Sequence, residues 1–233
     1  MFKEVSNGSS SSAKGAGEHT RALILKTALE LFRQRGFEVT TMRDIASAAK
    51  VATGAAYYYF PSKEAIVSAY YDQVQRLHAD KVIEYLKGKT ALRERLGVVF
   101  HSKLEIVKDD RRFLGALFRY TGDSEHPLSV FGKGTQSQRT QSMAIFREAI
   151  SVPGLSDELQ QILPAALWLA HLGMILSLIY DESEGQKKTH KLVDGALDLL
   201  AQAIDLSSTV FVRPFVQPFQ TKVLQMLQDS GWA

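Results

Sequence analysis

The sequence predicts an all-α protein: a three-helix domain carrying a helix-turn-helix, followed by a larger helical domain. Three observations lead there. From Thr20 onward, apolar residues recur at three- and four-residue spacing, the period of a helix with one buried face. Helix-terminating Gly36, Pro61, Pro127, Pro153 and Pro214 fall between the periodic stretches. No convincing alternation of the kind a strand needs runs longer than Val210–Val212, and no internal repeat is visible.

Residues 6–17 are mostly Ser, Gly and Ala with little to bury, so 1–18 reads as a disordered arm. The first helix then places Ile24, Leu25, Ala28, Leu31 and Phe32 on one face and stops at Gly36. Thr40 or Thr41 caps a short second helix that turns Ile45, Ala46 and Ala49 inward. Lys50-Val51 makes the turn, and a third short helix runs from about Thr53 to Tyr59. After Pro61, Ser62 caps a long fourth helix from Lys63 to about 87. Further helices are expected over about 90–108, 111–120, 135–150, 156–181 and 187–206, with an amphipathic stretch near 217–229. Residues 19–66 form the first domain on this reading and 67–233 the second.

A length of 233 residues suffices for two cores, and 45% hydrophobic with 23% charged residues is ordinary for a soluble chain. The absence of cysteine removes disulfides and thiolate metal sites. No basic region followed by an apolar run opens the chain, so a cytoplasmic location is expected. Residues 1–63 hold nine Lys/Arg against five Asp/Glu, whereas 64–233 hold nineteen against twenty. The positive excess thus sits where a polyanion would be met, although so small a difference also arises by chance.

Three short helices, two of them joined by a tight turn, make a helix-turn-helix, whose last helix is built to enter the major groove. Thr53, Gly54, Ala55 and Ala56 are small, which permits close backbone approach. Tyr57, Tyr58 and Tyr59 follow and cannot all face a core, because successive helix positions point about 100° apart. The same pattern also fits a small bundle with a surface aromatic patch.

The segment Arg21 to Ile66 resembles the N-terminal domain of the tetracycline-repressor (TetR) family. The match rests on Ile24-Leu25, Ala28, Leu31-Phe32, Gly36-Phe37, Thr40-Thr41, Ile45-Ala46, Ala49, Val51, Gly54, Tyr57, Phe60 and Ser62-Lys63-Glu64. The resemblance implies a dimeric repressor that a small molecule releases from operator DNA. It implies that Thr41 binds phosphate through its hydroxyl and N–H. Thr53, Gly54, Ala55, Tyr57 and Tyr58 would face the major groove, while Tyr57, Tyr59 and Lys63 would meet phosphates. Arg43 and Lys50 are further basic candidates. Val51, Ala56 and Phe60 would pack inward. The chain departs from the family pattern at Ala52, where a capping Ser or Thr is usual, at Lys50, where Gly is common, and at Ala56, where a larger residue is usual. If Thr53 caps the third helix in place of position 52, its hydroxyl is lost to base reading.

In the second domain, 159–180 carry no formal charge and are long enough to span a bilayer, but polar residues interrupt them and acids flank both ends. No membrane partner is expected. Ala166, Ala170, Gly173 and Ser177 form a stripe of small side chains, matched by Leu192, Ala196, Leu199 and Ala203 on the next helix. Two such helices from each subunit would form a four-helix dimer interface, and internal packing is the alternative. An apolar or aromatic effector is expected among Phe113, Leu117, Phe118, Tyr120, Met143, Phe146, Trp168, His171 and Met174, with His101, His171 or Tyr120 as polar handles.

No P-loop, G-x-S-x-G or H-E-x-x-H is present, and the six histidines show no metal-ligand spacing. Ser124-Glu125-His126 is a loop tripeptide, not a triad. Neither an enzyme, a metal nor a cofactor is expected. The rival reading is a helical carrier of small molecules with no part in DNA regulation.

Overall fold

In a computed structural model of the chain, residues 9–209 and 211–231 are described. Among them are ten α-helices and no strand. Val210, in the only strand candidate, lies outside the described residues, and Phe211 and Val212 stand in a turn.

The residues divide into two compact units between Tyr71 and Asp72. The first contains α1 (Ser9–Arg35), α2 (Met42–Ala48), α3 (Thr53–Tyr59) and the start of α4 (Lys63–Tyr85). The division thus lies inside α4, five residues later than the boundary expected at 66/67. A second difference is at the N-terminus. α1 begins at Ser9, so 9–18 are helical where an arm was expected; residues 1–8 lie outside the description. Once a helix is nucleated, each added residue gains a hydrogen bond for two fixed dihedrals, so the Ala- and Ser-containing segment propagates from the amphipathic part. The core of this unit is Ile24, Ala28, Phe32, Phe37, Ile45, Ala46, Ala56 and Phe60, each almost fully buried.

The second unit holds the rest of α4 and α5 (Leu92–Val107), α6 (Arg111–Phe118), α7 (Gln136–Ala149), α8 (Asp157–Tyr180), α9 (Lys187–Ser208) and α10 (Arg213–Asp229). α8 lies at its centre, against α6, α7, α9 and α10. α8 is long and apolar enough to cross a membrane by length and composition, yet Leu163, Leu167, Trp168, Met174 and Leu178 are spent on this core. The expected last helix starts four residues early. Pro214 sits in its first turn, where a missing N–H costs nothing, rather than ahead of it, and Pro218 lies inside it.

Asp181 joins α8 to α9. Its Oδ1 accepts from the Ser183 N–H (2.9 Å) and hydroxyl (2.6 Å), and its Oδ2 from the Thr189 N–H (2.8 Å) and hydroxyl (2.9 Å). The Thr189 oxygen also lies 3.1 Å from that of Ser177. Burial alone would raise the carboxyl's pKa, but these donors together hold it well below the usual range.

Candidate nucleic-acid interface and effector region

In the first unit, α2 is held by a reciprocal capping box. The Asp44 N–H donates to Thr41 Oγ1 (3.1 Å), while Asp44 Oδ2 accepts from the Thr41 N–H (2.8 Å) and hydroxyl (2.6 Å). Both donors that Thr41 was expected to offer a phosphate are therefore already used within the protein. Lys63 is likewise committed. Its ammonium donates to the carbonyls of Phe37 (2.7 Å) and Glu38 (3.2 Å) and lies 4.5 Å from the Phe37 ring centre. It closes the loop after α1 instead of standing free for DNA. Lys63→Ala should thus cost about 1–2 kcal/mol of stability in urea unfolding, by leaving two loop carbonyls unpaired.

The turn after α2 holds Lys50 at φ +56°, a left-handed conformation that suits glycine, which explains why Gly is common there. The Lys50 N–H still donates to Ser47 O (3.1 Å), so the turn is made at a cost in strain. Lys50→Gly is expected to raise stability by about 1 kcal/mol and to weaken DNA binding, measured by urea unfolding and anisotropy on the same preparation.

Helix α3 has Ala52 at its N-cap and no side-chain cap. Thr53 does not cap it but is its exposed first residue, with its hydroxyl free for base reading. Ala56 and Phe60 face inward as expected, while Val51 is half-buried. Thr53, Gly54 and Tyr57 are exposed, and Tyr58 is 82% exposed. A Cβ on Gly54 would meet nothing. Tyr59 is half-buried, its ring edge-on to Tyr58 and its hydroxyl beside Gly17 of α1, so its expected phosphate role is the least supported of the three tyrosines. Arg43 and Lys50 are exposed. Arg35 and Arg43 also lie close enough to Asp44 to help lower its pKa, behind the larger effect of its bonds to Thr41.

In the second unit, Phe113, Leu117, Met143, Phe146, Trp168, His171 and Met174 are all buried. Tyr120 is not among them: it lies in the segment after α6, stacked on His126 at 3.9 Å. His101 is half-buried and faces His190 (2.9 Å) and Asp194 (2.9 Å). An apolar groove of about 500 Å³ opens elsewhere, between α5, α8 and α9. Of the expected effector residues only Met174 lines it; Ala166, Ala170, Gly173, Leu192 and Ala196, read as dimer residues, make much of its wall. Sequence reasoning passed over three buried polar residues, His78 and Lys103 near His171 and Gln75 bonded to Lys103. The signal was present at Lys103, which interrupts the apolar face that Leu96, Val99, Phe100, Leu104 and Val107 make on α5.

Two family models match the chain: bacterial regulatory proteins of the tetR family over residues 24–70, and the tetracyclin repressor-like C-terminal domain over residues 95–219. The HTH-type regulator YuxN of Bacillus subtilis is 38% identical over 87 residues, 36% of this chain and 30% of its own. The chain thus matches only about a third of that relative's length. The HTH-type transcriptional regulator LuxR of Vibrio harveyi is 26% identical over 182 residues, 76% of this chain and 86% of its own. The structure of AibR in complex with isovaleryl coenzyme A and operator DNA superimposes with a TM-score of 0.53 at 20% identity, over 76% of this chain and 97% of that one.

Proposed function

Because the chain belongs to the TetR family of bacterial regulatory proteins, we propose that it is a sequence-specific DNA-binding regulator, a repressor released when an effector binds its second unit. The observation that carries the DNA reading is the surface of α3. Thr53, Gly54, Tyr57 and Tyr58 are exposed, and the hydroxyls of Thr53, Tyr57 and Tyr58 are free of internal hydrogen bonds, beside a turn bearing exposed Lys50. Small residues let the helix enter a groove, and tyrosines read edges or phosphates. AibR, solved with operator DNA and an acyl coenzyme A, supports the joining of the two activities. α4 is the covalent route between the units, with residues 63–71 in one and 72–85 in the other. Selection of bound duplexes from a random pool tests the reading. The wild type should enrich one palindrome, and Tyr58→Ala should change a base preference, worth about 1–3 kcal/mol. Failure to enrich any duplex at low salt would favour the carrier reading.

The working species on this proposal is a cytoplasmic homodimer without catalytic activity, seated on α8 and α9. Ala166, Ala170, Gly173, Leu192, Ala196, Leu199 and Ala203 are exposed, and Ser177 is half-buried. A Cβ on Gly173 would meet nothing within 4 Å, which speaks against internal packing of the stripe. Leu169 and Leu176 on α8, and Leu192, Leu199 and Leu206 on α9, are exposed at seven-residue spacing, the pattern of a helix that packs along its length.

A further inference from the structure

The second unit encloses a polar cluster for which its own packing gives no use. Lys103 of α5 is almost fully buried, and its ammonium donates one hydrogen bond, 2.7 Å, to the side-chain oxygen of Gln75 on α4. Gln75 is oriented in turn by donating to the Gln138 carbonyl of α7 (2.8 Å). The Gln138 amide donates to Asp72 (2.7 Å), which keeps that carboxylate occupied. His78 of α4, one helical turn from Gln75, faces the Val99 carbonyl through Nε2 at 2.9 Å and leaves Nδ1 without a partner. His171 of α8 is buried and has neither ring nitrogen hydrogen-bonded. Its ring lies 6.2 Å from that of Phe146, which packs on Phe100 at 5.5 Å. Three helices, α4, α5 and α8, thus bring one lysine, two histidines and one amide together, beside the aromatic rings of Phe100 and Phe146.

This arrangement is costly as a structural device. An ammonium in an apolar interior that has only a neutral amide for company loses hydration it does not recover. Its pKa shows the cost, since burial pushes Lys103 down to about 7. Burial first, and the Lys103 charge second, also lower the pKa of His78 and of His171. All three shifts would be relieved by one event, the arrival of a negative charge. We propose that this cluster is the polar end of the effector site, and that it selects an effector with an apolar body and a single carboxylate. The two free N–H groups of the Lys103 ammonium and one ring N–H of His171 bind the carboxylate. Gln75 and His78 hold the lysine in place, and the neighbouring aromatic rings receive the apolar body. The inference rests on the regulator reading only for the word effector; the acid site itself stands on the cluster.

The test is calorimetric titration of the full chain with octanoate and 4-phenylbutanoate, and with the corresponding neutral amides, octanamide and 4-phenylbutanamide. Acid and amide share shape and differ in charge. Each acid is expected to bind about tenfold to a hundredfold more tightly than its amide, the range of a charged hydrogen bond. In Lys103→Met, which preserves length and apolar packing, that ratio should collapse towards one, with amide affinity little changed. His171→Gln should reduce the ratio partially, which controls for any folding defect in the first variant. Equal affinity for acid and amide in the wild type, an unchanged ratio in Lys103→Met, or no binding of either acid at millimolar concentration overturns the proposal, and the cluster is then a water-filled packing feature. Parallel anisotropy on duplex DNA separates the two readings. Acid selectivity without DNA binding sinks the regulator and keeps the acid site; DNA binding without acid selectivity does the reverse.

Discussion

Affinity for duplex DNA is expected to fall about 10³-fold between about 50 and 200 mM salt, the lower end of the range for DNA-binding proteins. The steepness follows from how many phosphates meet a cation, because each releases condensed counterions. Of the exposed cations of the first unit, Arg35 and Arg43 lie near Asp44 of α2 and Lys50 in the turn before α3, which gives about six near the proposed reading helices of a dimer. Lys63 would have raised that number, but its ammonium is bound to the Phe37 and Glu38 carbonyls. Tyr57 and Thr53 add hydrogen bonds that release no ions, so they contribute affinity without slope. Fluorescence anisotropy over a salt series reads the slope directly. Arg43→Ala should reduce it, by about two ions per dimer, and weaken all duplexes alike, while Lys63→Ala should leave it unchanged. A salt-insensitive affinity, or a slope that falls in Lys63→Ala, contradicts this assignment.

The second large effect is expected at α8. In the proposed dimer, Ala170→Glu would place a carboxylate in an apolar seam, and Gly173→Leu would hold apart helices meeting over a small residue. Both should give a monomer in light scattering, and operator affinity should drop about 10²–10⁴-fold as the two half-sites lose their linkage. The monomer itself should not suffer from Gly173→Leu. An added Cβ there meets nothing, and removing a mid-helix glycine favours the helix by about 1 kcal/mol. A change of assembly without loss of helix content therefore separates an interface effect from misfolding. If both variants remain soluble dimers, the interface lies elsewhere.

The order of the helices was legible because it rests on local signals. Gly36 and Pro61 end helices by backbone geometry, and the apolar period of α1 fixes its buried face. The roles of single polar side chains were not legible, because they depend on partners distant in sequence. Lys63 looked free until Phe37 and Glu38, 26 and 25 residues earlier, were found to occupy it. Thr41 failed for the opposite reason. Its partner Asp44 is only three residues away, and a Thr-x-x-Asp spacing ahead of an apolar helix carries the capping box in the sequence itself. Phe113, Met143, Phe146 and Trp168, expected together from the sequence, are all buried in the second unit. Buried Lys103 was less legible, since lysine usually faces solvent and only its place on the face of Leu96, Phe100 and Val107 marks it as internal.

If α8 and α9 seat the proposed dimer, the four hydrogen bonds received by Asp181 bear on how quickly two copies of the chain find each other. With Ser183 and Thr189 tied to one carboxylate, the turn between α8 and α9 is set during folding. On the proposed dimer, the exposed rows Leu169–Leu176 and Leu192–Leu199–Leu206 would flank a turn already fixed within each chain. The entropy of arranging those rows is spent within one chain, so collision need only align two finished faces. Loosening this turn would slow assembly even where the apolar rows themselves were left intact.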